Sequence, residues 1–259
     1  LWTRQVLAEH CAALGLERGD SVLAHAGLRS VGPILGGPDA LIAAIGDVIG
    51  RDGTLLAYCD WAYDDRDYPD RSLRAHVPPF DPAASRATRD NGAFPELLRT
   101  TPGARRSDNP GASMTALGGR AVWFTADHAL DYGYGPQSPL GKLVAANGKT
   151  TLIGAPLDTM TLLHHAEHLA DFPNKRIRRY ESPLLINGET VWRQFEEFDT
   201  SHSPDGLPED YFVEIVESFL ATGNGKRGTI GAASSVLVPA PAIVAFAVNW
   251  LETRLRSTP

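Results

Sequence analysis

The chain has 259 residues, 43% hydrophobic and 21% charged, with a formal charge of −7. That balance supports a globular core, argues against a nucleic-acid partner, which needs clustered Lys and Arg, and accommodates a cationic small molecule. No apolar run reaches the roughly 18 residues of a membrane span, and Leu1-Trp2-Thr3-Arg4 lack a signal-peptide layout. Cys11 and Cys59 read as buried reduced thiols, so a cytoplasmic address is expected.

Helix and strand alternate from the start. Thr3 to Leu14 has the period of an amphipathic helix, stopped by Gly15, and Val22 to His25 is a short buried strand. After Gly36-Gly37-Pro38-Asp39 a second helix covers Ala40 to Ile49, and Thr54 to Tyr58 is the next strand. This βαβ unit implies a partly parallel sheet. Periodicity is lost over 60–90, a length that marks a functional loop or lid. Phe94 to Arg99 reads as a short helix, and Met114–Leu117 with Ala121–Phe124 as a hairpin around Gly118-Gly119. Pro139 to Ala146 is helical, Thr151 to Ile153 a strand, and Asp158 opens and caps a helix running to about Ala170. Residues 177–198 form a hairpin about Asn187-Gly188. Tyr211–Leu220 is a helix, Ile230–Val238 a strand and Ala242–Leu251 a closing helix. The expected architecture is one α/β domain over 1–259.

Chemistry concentrates in Leu152-Ile153-Gly154-Ala155-Pro156 and the helix after it, which carries His164-His165-Ala166-Glu167-His168. Ligands of open α/β sheets sit at such strand ends. His164 and Glu167, three apart, share a helix face and can hydrogen-bond. A carboxylate beside an imidazole fixes its tautomer and makes it a general base; the same spacing also serves a solvated polar pair. A rival reading is H-x-x-E-H, with His164 and His168 on zinc, Glu167 activating water, and Glu214 or Glu217 as a third ligand. No G-x-S-x-G elbow or Walker phosphate loop occurs. Arg227-Gly228-Thr229-Ile230-Gly231-Ala232 has its glycine one place late for the pyrophosphate loop of the common N-acetyltransferases.

The run Asp158-Thr159-Met160-Thr161-Leu162-Leu163-His164-His165-Ala166-Glu167 resembles the aminoglycoside 3-N-acetyltransferase family, particularly its members from antibiotic-producing actinomycetes. Further blocks agree in order: His25-Ala26-Gly27-Leu28-Arg29-Ser30-Val31-Gly32, Pro79-Phe80-Asp81-Pro82, Gly103-Ala104-Arg105-Arg106-Ser107, Ser138-Pro139-Leu140 and Pro173-Asn174-Lys175-Arg176. The resemblance implies a three-layer α/β/α sandwich with a mixed sheet and an added antiparallel hairpin, distinct from the common N-acetyltransferase fold. It implies acetyl-CoA as donor, the 3-amine of 2-deoxystreptamine as acceptor, no metal, antibiotic resistance, and a monomer or homodimer. By position His164 is the base and Glu167 its partner; backbone amides near a helix start, or a hydroxyl such as that of Thr161, are expected to hold the thioester oxygen as charge develops. His25, Ala26, Gly27, Leu28, Arg29, Ser30 and Val31, with Arg106 and Ser107, are expected on the CoA side. Asp60, Asp158, Asp199, Glu209 and Asp210 are expected to meet the sugar, with Asp64, Asp65, Asp67 and Asp205 as further acids, and Trp61 either packs on the sugar or belongs to the core. The family usually has Ser at Gly27, His at Asn109 and an acid at Arg227.

Overall fold

A computed structural model describes residues 1–61 and 70–256. The first helix, α1 (Arg4–Leu14), is capped by the Thr3 hydroxyl and ends at Gly15 in the left-handed region. Next come β1 (Ser21–Ala26), the one-turn α2 (Leu28–Val31), α3 (Asp39–Ile49), β2 (Thr54–Tyr58), α4 (Phe94–Thr100), β3 (Arg105–Arg106) and β4 (Met114–Gly118). They are followed by α5 (Ala121–Thr125), α6 (Pro139–Ala145), β5 (Lys149–Ile153) and α7 (Leu162–Leu169). The hairpin of β6 (Ile177–Ile186) and β7 (Glu189–Phe198) precedes α8 (Tyr211–Ala221), β8 (Lys226–Ile230), β9 (Ala233–Pro239) and α9 (Ala240–Arg256).

Among the described residues the main sheet has the order β3-β4-β2-β1-β5-β9-β8. β1 pairs parallel with β2 and β5, and the other neighbours are antiparallel, so the sheet is mixed. Both faces are buried, and alternation assigns each residue to one of two cores. Val22, Ala24, Leu55, Ala57 and Ile153 pack with Leu7, Leu41, Ile45 and Phe94 of α1, α3 and α4. Leu23, Leu56, Leu152, Val236 and Val238 pack with Leu143, Leu163, Ile215, Ile243 and Leu251 of the later helices. The result is the expected α/β/α sandwich. Cys11 and Cys59 are buried free thiols.

The antiparallel hairpin turns at Asn187 and Gly188, with φ of 52° and 83°, the double positive φ of a type I′ turn. Phe80 docks on it through hydrogen bonds with Pro183 and Leu185. Behind these bonds Trp61, Phe80, Leu184 and Phe195 form a third core.

Three expected elements differ. Ala121–Phe124 is helical, not the second arm of a hairpin: Ala121 and Phe124, three apart, are buried, while Val122 and Trp123 are 67% and 41% exposed. Ile230–Val238 is not one strand, because Gly231 at φ 61° turns the chain between β8 and β9. Asp158 does not cap the helix. It lies in a 3-10 turn, Leu157–Thr159, and Thr161 is the residue before α7, making no side-chain cap. In 60–90, the segments Arg71–His76 and Arg89–Asn91 are 3-10 helices.

Candidate active site

β5 ends at Ile153, and Gly154 at φ 59° turns the chain away from the sheet. The 3-10 turn then aims α7 so that Leu162, Leu163 and Ala166 enter the core and His164 faces out. His164 Nδ1 lies 2.5 Å from Glu167 Oε2. The side chains are 25% and 8% exposed, respectively. The imidazole is clamped between Tyr134 and Phe212, with ring centroids at 5.0 and 5.1 Å. Glu167 accepts the Nδ1 proton, so the lone pair belongs to Nε2. That nitrogen has no hydrogen-bond partner among the described residues.

Two cavities meet at this ring. The first, about 440 Å³, lies at the carboxyl ends of β1, β2 and β5, with His25, Gly27, Tyr58, Pro156, Thr161 and His164 in its wall. The second, about 190 Å³, is lined by Asp158, His164, Ser203, Glu209, Tyr211 and Phe212 among others. His164 and Asp158 are common to both.

Of the early block, His25, Ala26 and Gly27 line the larger cavity. His25 is neutral, because burial pushes it down to about 4, and its Nε2 is enclosed without a hydrogen bond. A Cβ at Gly27 would stand 2.4 Å from the carbonyl oxygen of Gly154, so this loop approaches β5 more closely than a serine permits. Leu28 packs toward a core and Val31 is fully buried, while Arg29 and Ser30 are exposed and lie outside the cavity wall.

Arg106 and Ser107 do not line either cavity, contrary to the expectation. Arg106 is buried, donating to the Cys59 and Ser85 carbonyls and, at 3.1 Å, to Ser113 Oγ. Ser107 Oγ accepts from Met114 N and meets His128 Nδ1 at 2.8 Å. Both brace β3 and β4, since a buried polar group must find internal partners. Asn109 is likewise structural, donating to the Ala129 and Leu130 carbonyls and accepting from Gly111 N and Ala112 N. Arg227 pairs with Glu217 on the surface.

The acidic candidates separate. Asp158 and Glu209 reach the smaller cavity. Asp199 and Asp205 line a third, about 260 Å³, that touches the Glu167 side of the pair. Asp210 is exposed at the start of α8 and makes no side-chain cap. Trp61 is core, 6% exposed and 5.7 Å from Phe80 between ring centroids. Asp64, Asp65 and Asp67 lie outside the described residues.

Asp60 is buried and accepts from Asn91 Nδ2. Burial pushes its carboxyl up to about 7, against the pull of that bond and of Arg106. An unfolded chain ionises it at about 3.9. The stability held in its proton is therefore complete below that value and lost as pH rises through about 7. Asp60→Asn, which keeps the acceptor, is expected to raise Tm at pH 8 and leave it unchanged at pH 4. An equal effect at both pH values would contradict a buried neutral carboxyl.

Two residues at the site escaped the sequence reading. Tyr211 donates its hydroxyl to Glu167 Oε1. Glu197 of β7, pushed up to about 7 by burial, stands in the field of His164. The zinc alternative finds no support in side-chain placement. Glu167 takes one nitrogen of His164, His168 packs between Tyr132 and Phe198, and Glu214 and Glu217 pair with Arg254 and Arg227. Among the described residues no three His, Cys, Asp or Glu converge on a metal position, and no helix is long and apolar enough to cross a membrane.

A family model described as aminoglycoside 3-N-acetyltransferase matches residues 23–252. Aminoglycoside N(3)-acetyltransferase VII of Streptomyces paromomycinus is 46% identical, over 98% of this chain and 92% of its own. Aminoglycoside N(3)-acetyltransferase III of Pseudomonas aeruginosa is 44% identical, over 97% and 94%. Among solved structures, AAC-IIIb as a binary complex with CoASH superposes with a TM-score of 0.96 at 58% identity, covering 99% of this chain and 98% of that one. AAC-VIa bound to sisomicin gives 0.93 at 36% identity, covering 99% of each.

Proposed function

The chain belongs to the aminoglycoside 3-N-acetyltransferase family, and from that membership we propose direct transfer of acetyl from acetyl-CoA to the 3-amine of 2-deoxystreptamine, with His164 as general base. The observation that carries the reading is the position of His164, whose unpartnered Nε2 belongs to a ring shared by two cavities. The larger takes the thioester end of the donor, with Gly27 and Pro156 in its wall, and the Thr161 hydroxyl, which rests on the Thr159 carbonyl at 3.4 Å, turns to the thioester oxygen as charge develops. The smaller takes the sugar, with Asp158 and Glu209 for its ammonium groups.

Aminoglycoside amines are mostly protonated at neutral pH, so attack requires removal of a proton. Nε2 takes it, and Glu167 on Nδ1 stabilises the imidazolium that forms. The freed amine attacks the thioester carbon, the C–S bond breaks, the imidazolium returns its proton to the departing CoA thiolate, and the new amide nitrogen sheds its second proton to solvent. Direct transfer agrees with the state of the cysteines. Burial pushes Cys11 up to about 12 and raises Cys59, so neither offers a thiolate to carry the acetyl group. Acetylation removes a positive charge from the drug, and resistance is the expected consequence.

The test is release of free thiol from acetyl-CoA. It is expected only when an aminoglycoside with a 3-amine is present, with KM for the drug rising steeply with salt as charge pairs are screened. Thiol release without drug, or a chelator-sensitive hydrolysis, would refute the reading. A flat salt response would remove Asp158 and Glu209 from the sugar site.

A further inference from the structure

Glu167 has two carboxylate oxygens and the fold uses both. Oε2 faces His164 Nδ1, three residues back on the same helix, and Oε1 accepts the hydroxyl of Tyr211. Tyr211 is the first residue of α8 and is 5% exposed. Its ring is stacked toward Trp250 of α9 at 6.5 Å and lies edge-on to Phe212 at 4.8 Å. No other described residue donates to the Glu167 side chain.

We propose that Tyr211 is a positioning residue for the acetyl transfer, its hydroxyl fixing the plane of the Glu167 carboxylate so that Oε2 holds His164 with Nε2 toward both cavities. This rests on the reading of His164 as base. The physical case is one of constraint. A glutamate has three side-chain torsions, and its terminal torsion is broad and roughly two-fold. One hydrogen bond within α7 leaves the carboxylate free to rotate about that contact. A second bond from a different helix, on a ring locked by Trp250 and Phe212, removes the rotation. Without the hydroxyl, Oε1 would lose its one described donor and would turn to recover another, with Lys175 and Arg176 in the wall of the cavity that Glu167 lines, taking Oε2 away from the imidazole. Phe212, the next residue of α8, touches the other side of the picture by packing on the His164 ring. The start of α8 thus contacts both members of the pair, and the loop before it supplies Ser203 and Glu209 to the sugar cavity.

Tyr211→Phe tests this, because it deletes only the oxygen. The expected result is a fall in kcat of about tenfold or more, the scale of one hydrogen bond to a charged group, with KM for acetyl-CoA and for the drug unchanged. The downfield proton resonance of His164 Nδ1–H should shift or broaden in the same variant. Replacing Tyr211 by 3-fluorotyrosine keeps the hydroxyl and should keep both turnover and the resonance, which guards against a folding defect in the phenylalanine variant. Unchanged kcat, or a loss in kcat with the resonance unmoved, would overturn the proposal. His164→Gln separates the two readings. If it retains turnover, the base assignment fails and Tyr211 fails with it. If it loses turnover while Tyr211→Phe keeps it, Tyr211 alone is wrong.

Discussion

His164→Ala is expected to lower kcat by about 10²–10⁴-fold, the contribution of one positioned general base, while Kd for CoA and for the aminoglycoside stays close to that of the parent. The separation follows from geometry. The ring is one of many groups in the wall of the larger cavity, so its removal costs little ground-state binding. Its bonding is directed elsewhere, to Glu167 through Nδ1, and the free nitrogen has no described partner in the resting protein. On the proposed role Nε2 acts when a proton leaves the attacking amine, and a loss confined to kcat would mark an interaction made in the transition state. Calorimetric titration with each ligand, beside steady-state thiol release, checks the split. Full turnover in the variant, or loss of ligand binding equal to the loss of rate, would assign His164 another role.

Glu167→Gln is expected to cost about 10²–10⁴-fold in kcat, although it removes no atom from either wall of the transfer site. Glutamine keeps the size of glutamate, and its carbonyl oxygen can still accept the hydroxyl of Tyr211. That leaves the amide NH2 facing Nδ1 of His164. An amide donor there moves the imidazole proton to Nε2, and the lone pair no longer meets the amine. The wrong tautomer explains losses of about this size when the acid of a hydrolase triad is made an amide. Glu167→Asp is the useful companion, because it retains the charge but shortens the reach from α7. Near-parental kcat in Glu167→Gln would show that the pair is a packing contact only.

These residues were legible in the chain for reasons of spacing. His164 and Glu167 are three apart on a helix that follows a strand end, so local periodicity was enough to pair them. The βαβ start and the Asn187-Gly188 hairpin were equally local. Tyr211 was not legible, because its bond to Glu167 joins positions 44 apart that meet only when α8 packs on the 3-10 turn before α7 and on α9. Glu197 was missed for the same reason, lying on the hairpin, far along the chain from the helix it faces. Arg106 and Ser107 were placed on the CoA side by the resemblance of their block alone, which carries no information about what each side chain touches. Here their partners are buried backbone and side-chain groups, which no sequence pattern announces. Ala121–Phe124 misled because four residues cannot distinguish a period of two from one near four. The exposure of Val122 and Trp123 decides it.

The most direct measurement is a nitrogen-15 spectrum of His164, assigned by loss of its signals in His164→Gln, with CoA and aminoglycoside added separately. Pairing with Glu167 predicts a proton on Nδ1 and a bare Nε2 in the neutral ring, and the shared cavities predict that each ligand shifts the Nε2 signal on its own. A proton resting on Nε2, or a ring that senses only one of the two ligands, would contradict a base standing between donor and acceptor.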